Sequence, residues 1–80
     1  ETNFEIDAIF RTSSGKWGAI EIKLGAGEIE TACNNLTKFK EKVDTEKYGE
    51  PSFLMVLTGA ELSYVREDGI YVVSIGTLKD

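Results

Sequence analysis

The chain has 80 residues, 41% of them hydrophobic and 29% charged, with 14 acidic against 9 basic residues and a net charge of −5. That length allows one domain, and no apolar run approaches the ~20 residues of a membrane-spanning helix. One cysteine excludes an intrachain disulfide framework, and the lack of histidine removes Ser-His-Asp and Cys-His catalysis and leaves too few soft ligands for zinc. The negative balance is the wrong sign for a domain that grips nucleic acid unaided, and it suits a site built around a cation.

Phe4 to Phe10 alternates, with Phe4, Ile6, Ala8 and Phe10 on one face and Glu5, Asp7 and Ile9 on the other, which predicts a half-buried strand. A turn cluster, 11–16, holds Gly15. Trp17 to Leu24 alternates again, Gly18, Ile20, Ile22 and Leu24 against Trp17, Ala19, Glu21 and Lys23, so the two segments read as a β-hairpin. Gly25-Ala26-Gly27 breaks the second strand. From Glu28 to about Val43 the period turns helical, with an apolar stripe of Ile29, Ala32, Cys33, Leu36, Phe39 and Val43. Glu28 and Glu30 open this helix and Lys40 and Lys42 close it, as the helix dipole favours. A polar loop spans Asp44 to Pro51. Phe53 to Leu57 is continuously apolar, the mark of a strand buried on both faces. Ser63–Arg66 and Ile70–Ile75 follow as strands, joined through Asp68-Gly69 as a hairpin. The order β-β-α-β-β-β predicts an α/β fold, a mixed sheet with one main helix. The strand after the helix should lie parallel to the strand before it, by the crossover rule. Ile20, Ile22, Leu36, Phe39, Leu54 and Val56 are the expected core.

The first hairpin carries the chemistry. A three-residue loop, Ser13-Ser14-Gly15, pairs Thr12 with Lys16 and sets Asp7 opposite Glu21, with Glu5 opposite Lys23. Directly opposed Cβ atoms stand ~4.5–5.5 Å apart, so two carboxylates there repel unless a shared divalent cation compensates, with Lys23 assisting. A register shifted by two instead sets Asp7 against Lys23 as an ordinary cross-strand ion pair on a solvated sheet face. Both pairings keep like faces together.

Asp7, the hairpin, Glu21-Ile22-Lys23, a helix and then a buried strand resemble the PD-(D/E)XK nuclease motif within its restriction-endonuclease-like core. Ile6 stands where the named motif has proline. The ordered set FEIDAIFRTSSGKWGAIEIKLG, NNL, FLMVLTG and SYVREDGIYVVSIGTLKD resembles the C-terminal domain of unknown function found behind the ATPase domain of prokaryotic AAA-type ATPases. The resemblance covers most of the chain. It implies that residues 1–80 are a single nuclease-like domain cut from the C-terminal part of a longer ATPase, and a fragment of the fold, with its first helix and strand upstream. It also implies Mg²⁺- or Mn²⁺-dependent phosphodiester hydrolysis: Asp7 and Glu21 as metal ligands, the Ile22 carbonyl as a third, and Lys23 orienting the water or neutralising phosphate charge. Glu5 is an accessory ligand at most. The implied partners are the ATPase domain of the same polypeptide and, through the whole protein, nucleic acid. No membrane is expected.

Glu1 opens the chain with neither a charged n-region nor an apolar h-region, which fits a piece of a longer chain. Cys33 reads as a reduced core thiol and, with the rest, points to the cytoplasm. Trp17 reads as a cap on the hairpin edge, Asn34 and Asn35 as solvated helix surface, and Lys38, Lys40, Lys42 and Lys47 as solvated charge. Glu67-Asp68-Gly69 lacks the spacing of a Ca²⁺ loop and reads as a turn. A truncated sheet should leave an apolar patch or an open edge, and with it homodimerisation. The competing reading is an inert module that keeps this fold and serves assembly of its ATPase. An intact Asp7, Glu21 and Lys23 favours the nuclease; the negative charge favours the module.

Overall fold

The computed structural model describes residues 6–78. Five strands, β1 (Ala8–Arg11), β2 (Trp17–Lys23), β3 (Phe53–Thr58), β4 (Tyr64–Val65) and β5 (Tyr71–Ser74), form one mixed sheet in the order β1-β2-β3-β5-β4. The main helix α1 (Ile29–Lys42) crosses from β2 to β3, and these two strands are parallel, as are β3 and β5. The expected α/β class, mixed sheet and β2-helix-β3 crossover are therefore present.

The first hairpin forms with the three-residue loop. Thr12 N–H donates to Lys16 O at 2.8 Å and Gly15 N–H to Thr12 O at 2.9 Å. Gly15 takes φ of +92°, a conformation that costs a side chain but not glycine. Ala8 then faces Ile20, Ile9 faces Ala19, and Arg11 faces Trp17. This is the register of the three-residue loop, not the one shifted by two, and it holds as far as Ala8; the expected pairing of Asp7 with Glu21 does not form, because Asp7 N–H bonds Ile20 O instead. Phe4 and Glu5 lie outside the described residues, and β1 begins at Ala8, later than the alternation implied.

α1 begins at Ile29 after a 3₁₀ turn, Ala26–Glu28, and its Val43 N–H closes onto Phe39 O at 3.1 Å. The predicted stripe is the buried one: Ala32, Cys33 and Leu36 are closed from solvent, flanked by Ile29, Phe39 and Val43. Two elements were not anticipated. Asp44 caps a single-turn helix, α2 (Thr45–Tyr48), by accepting from Lys47 N–H, and a 3₁₀ turn, Ile75–Leu78, follows β5. Both are too short to leave a periodic signal. The Asp68-Gly69 hairpin joins β4 to β5, with Gly69 at φ +87°. Arg66 ties it to α1, donating to Glu30 at 2.9 Å and to Asp68 at 3.2 Å.

The core differs from expectation on one face of β2. α1 lies over Trp17, Ala19 and Glu21, all buried, while Ile22 is 45% exposed and Ile20 only half-buried. Leu36, Leu54 and Val56 are core as expected, and Phe39 packs half-buried at its margin. The physical reason is packing: α1 takes the face that carries Trp17 and Ala19, which join Ala32, Cys33 and Leu36 in one buried cluster, and alternation alone does not say which face is covered. Trp17 is thus no surface cap: its indole N–H donates to Gly49 O at 2.9 Å and its ring meets Phe39 edge-on at 6.1 Å.

The carboxyl ends of β2 and β3 are drawn together where Gly59 N–H donates to Leu24 O at 3.1 Å. A Cβ on Gly59 would stand 2.6 Å from that same carbonyl oxygen, a backbone atom with little room to retreat. Gly59→Ala is expected to destabilise the fold by about 1–3 kcal/mol through overpacking, read as a lower urea midpoint at unchanged slope.

Candidate functional site

Glu21 occupies the middle of the sheet, opposite Val56 of β3 and beneath α1, with no accessible surface. A carboxylate this deep is costly unless paired or protonated. Its Oε2 accepts from Asn35 Nδ2 at 3.3 Å, and Lys23 Nζ stands 3.6 Å from the same oxygen. Its Oε1 is buried with no hydrogen-bond partner. Burial raises the Glu21 pKa above the usual carboxylate value, the Asn35 bond and the Lys23 charge oppose the rise, and the charge on Asp7 adds to it.

Asp7 is exposed at the open end of β1. Its N–H donates to Ile20 O at 3.0 Å, so Asp7 joins Ala8 opposite Ile20 as at a bulge. Its Oδ2 accepts from Ile22 N–H at 2.7 Å, replacing the backbone acceptor that a continued ladder would supply. N–H and C=O of one residue in a hydrogen-bonded antiparallel pair face the same neighbour, so the Ile22 carbonyl opens to the Asp7 side as well.

The four residues singled out on the hairpin are therefore joined in two contacts, Glu21 with Lys23 and Asp7 with Ile22, along three consecutive residues of β2. Among the described residues no group of three or more Asp, Glu, Cys or His side chains is placed to hold a metal ion. Glu5 lies outside them. Mg²⁺ asks for less, one or two carboxylates with the remaining positions taken by water and phosphate. The donor set of Asp7, Glu21 and the Ile22 carbonyl is all oxygen, and the orphaned Glu21 Oε1 is a lone acceptor without a proton donor. That chemistry fits a hard divalent cation.

Three further polar residues belong to this region. Asn35, which its helical position predicts to be solvated, is half-buried and bonds Glu21. Its sequence signal is its place beside Leu36 on the edge of the buried stripe. Thr58 and Ser74 are also buried, and the ladders align them with Lys23 in one row across β2, β3 and β5. Thr58 Oγ1 accepts from Ala60 N–H at 3.1 Å, and Ser74 N–H donates to Ser63 Oγ at 2.8 Å. Going along the parallel strands, the face under α1 thus changes from Ala19 and Leu54, through Glu21, Val56 and Val72, to this polar row. Elsewhere the plain readings hold. Cys33 is buried with its thiol pKa pushed up by burial, Lys40 pairs with Glu50 at 3.4 Å, and Asp68 is engaged by Arg66 and the Ile70 N–H.

The chain belongs to the family described as Domain of unknown function (DUF4143), whose model matches residues 1–78. No curated protein and no solved structure matches it. Among the described residues, no helix is long and apolar enough to cross a membrane.

Burial of Glu21 sets a pH dependence. A carboxyl whose pKa is higher in the folded than in the unfolded state binds more protons when folded, so its effect on stability is most favourable below the unfolded value and is lost as pH rises through the folded one. Glu21→Gln, which keeps an acceptor for Asn35, should raise the melting temperature at neutral pH, by about 4–8 °C for each kcal/mol recovered. The gain over wild type should shrink as the pH is lowered towards the ordinary carboxylate range, a comparison made by calorimetry in metal-free buffer.

Proposed function

We propose that this domain is a divalent-metal-dependent phosphodiester hydrolase of the PD-(D/E)XK kind, carried by an AAA-type ATPase in one polypeptide. The observation that carries the reading is the buried Glu21 carboxylate: one oxygen held by Asn35 and Lys23, the other without a partner, next to the strand residue whose backbone Asp7 engages. Asp7, Glu21 and the Ile22 carbonyl would hold Mg²⁺ or Mn²⁺. When bound, such an ion lowers the pKa of a coordinated water and offsets charge developing on the phosphate. Asn35 fixes the Glu21 head group so that one oxygen stays turned away from the helix amide. Lys23, 23% exposed, keeps its ammonium beside Glu21 and presents a positive charge for the water or a phosphate oxygen. Tight association with nucleic acid then rests on parts of the whole protein other than this acidic domain.

The net charge and the Asp7–Ile22 bond favour a second reading, a domain without catalytic activity that serves assembly of the ATPase. In it, Asp7 terminates the ladder of β1 and Glu21 is a neutral buried acid.

A Mn²⁺ titration followed residue by residue by NMR separates them. Wild type should show paramagnetic broadening centred on the amides of Asp7, Glu21, Ile22 and Lys23, and Asp7→Ala or Glu21→Ala should abolish it. Lys23→Ala should leave Mn²⁺ binding largely intact while removing DNA cleavage by the complete polypeptide, a loss of about 10²–10⁴ in rate if it acts in proton transfer. An identical Mn²⁺ response in wild type and Asp7→Ala sinks the hydrolase reading and leaves the assembly module.

A further inference from the structure

At the end of β2 away from Lys23, the edge strand β1, the C-terminal end of α1 and the single turn α2 border a cavity of about 210 Å³. Ile9, Trp17, Phe39 and Val43 give it apolar walls, and Arg11 and Tyr48, both exposed, complete the lining. The walls are fixed before anything enters, since the Trp17 indole is tied to Gly49 O and meets Phe39 edge-on. A cavity of about 150 Å³ takes one benzene ring. This one therefore has room for a single flat ring system and is too small for a drug-sized ligand.

The electrostatics here run against the rest of the chain. The net charge is −5, yet the Arg11 guanidinium and the Lys47 ammonium each lie 5.4 Å from the centre of the Tyr48 ring. Among the described residues neither cation makes an ion pair: Glu50 is taken by Lys40, and Asp44 is turned to the backbone N–H of Lys47. Two like charges at one ring repel each other, and an anion bound there relieves the repulsion.

We propose that this cavity holds one unpaired nucleotide of a nucleic-acid strand, its base among the rings and its phosphate on Arg11 and Lys47. Charge selects an anion and so sets aside a plain apolar cover. The rings select a flat group: Tyr48 is 41% exposed and free to stack, and Arg11 already lies against it as a guanidinium lies against a base. Position selects a strand. β1 carries Arg11 at one end, and Asp7 precedes it by four residues, about 13 Å at the usual strand rise. A strand seated here by one nucleotide thus runs along the edge that leads to the proposed metal site. In this the inference rests on the hydrolase reading, whereas the cavity and its cations do not. One base and one phosphate give a weak grip that orients the strand, in keeping with the acidic balance of the domain.

Titration with an oligothymidylate of about eight nucleotides, in EDTA and without Mn²⁺, tests this apart from the metal site. Trp17 is the only tryptophan, so its fluorescence reports on the cavity wall. Quenching should saturate, with amide shifts at Ile9, Arg11, Phe39, Val43 and Tyr48. The mononucleotide dTMP should compete and inorganic phosphate should not. A duplex of the same length, whose bases are already stacked, should bind more weakly. Tyr48→Ala should weaken binding about 5- to 100-fold through lost stacking. Arg11→Gln should flatten the slope of log affinity against log salt by about 0.7, for one phosphate no longer met. Both side chains are exposed, so both variants should keep the far-UV dichroism of wild type. A wild type that does not respond overturns the proposal. So does an affinity unchanged in both variants, which places the strand elsewhere, and so does duplex binding as tight as that of the single strand, since no base then enters. A phenylalanine-containing acidic peptide that displaces the strand where dTMP does not makes this a peptide site and equally overturns it. A Mn²⁺ response that survives these failures leaves the hydrolase reading standing, and strand binding without a Mn²⁺ response removes that reading alone.

Discussion

The fold turns on how β2, α1 and β3 meet. Ala19 of the strand and Ala32 of the helix, both without accessible surface, belong to the one buried cluster that joins α1 to the sheet. Leu36, Cys33, Val56 and Val72 fill the space between the layers with them, and Glu21 is enclosed there too. The carboxylate is not placed at the edge of the core; it occupies a position that packing alone would give to Val or Leu. Its surroundings respond accordingly. Asn35 is drawn from the helix flank to one oxygen, and Lys23 runs back along its own strand to the same atom. A buried acid so incompletely satisfied lowers stability.

Much of this was readable from periodicity and turn chemistry. The register of the first hairpin followed from one glycine as far as Ala8, since Gly15 in the left-handed region closes a three-residue loop and sets the pairs from Arg11–Trp17 to Ala8–Ile20; at Asp7 the strand bulges and the count is lost. The helix stripe survived residue for residue, because a 3.6 period over four turns leaves little ambiguity. The side of β2 on which the helix lands did not follow. Alternation separates two faces without saying which is covered, and the hydropathy of Ile20 and Ile22 argued for the wrong one. The decision lay in tertiary packing, which joins Trp17 and Ala19 to the helix stripe in one buried cluster and which a strand read alone does not disclose.

The same limit hid Asn35. On a helix wheel it belongs to the polar flank, and only the position of Glu21 under α1 turns it inward. That Asp7 and Glu21 lie near one another was legible, but the bulge that sets Asp7 opposite Ile20 and the unlike environments of the two carboxyls were not. One is exposed and spends an oxygen on the Ile22 N–H; the other is sealed and has an oxygen to spare. Their chemistry differs for that reason. In a pair of equivalent surface carboxylates neither member is singled out to bear the shift, whereas here the buried member bears the raised pKa and the charge of the exposed member adds to it.

The position of these groups along the strands gives the site its direction. Ligands of open α/β sheets gather beyond the carboxyl ends of parallel strands, where backbone and side-chain polar groups are left without ladder partners. β2, β3 and β5 run parallel, and the buried face under α1 becomes polar towards their carboxyl ends, from Glu21 to the row of Lys23, Thr58 and Ser74. Thr58 turns its hydroxyl to the Ala60 N–H, and Gly59 holds the end of β3 against Leu24, so the segment that rims this end is fixed by short local bonds. Rigid backbone around an under-satisfied carboxylate is what a cation site requires, because an ion that must surrender waters is repaid only by donors already in place. The sheet is therefore divided by direction and by face: the under-satisfied carboxylate and the polar row lie towards the carboxyl ends on the helix side, and the strands carry no charged side chain on the opposite face.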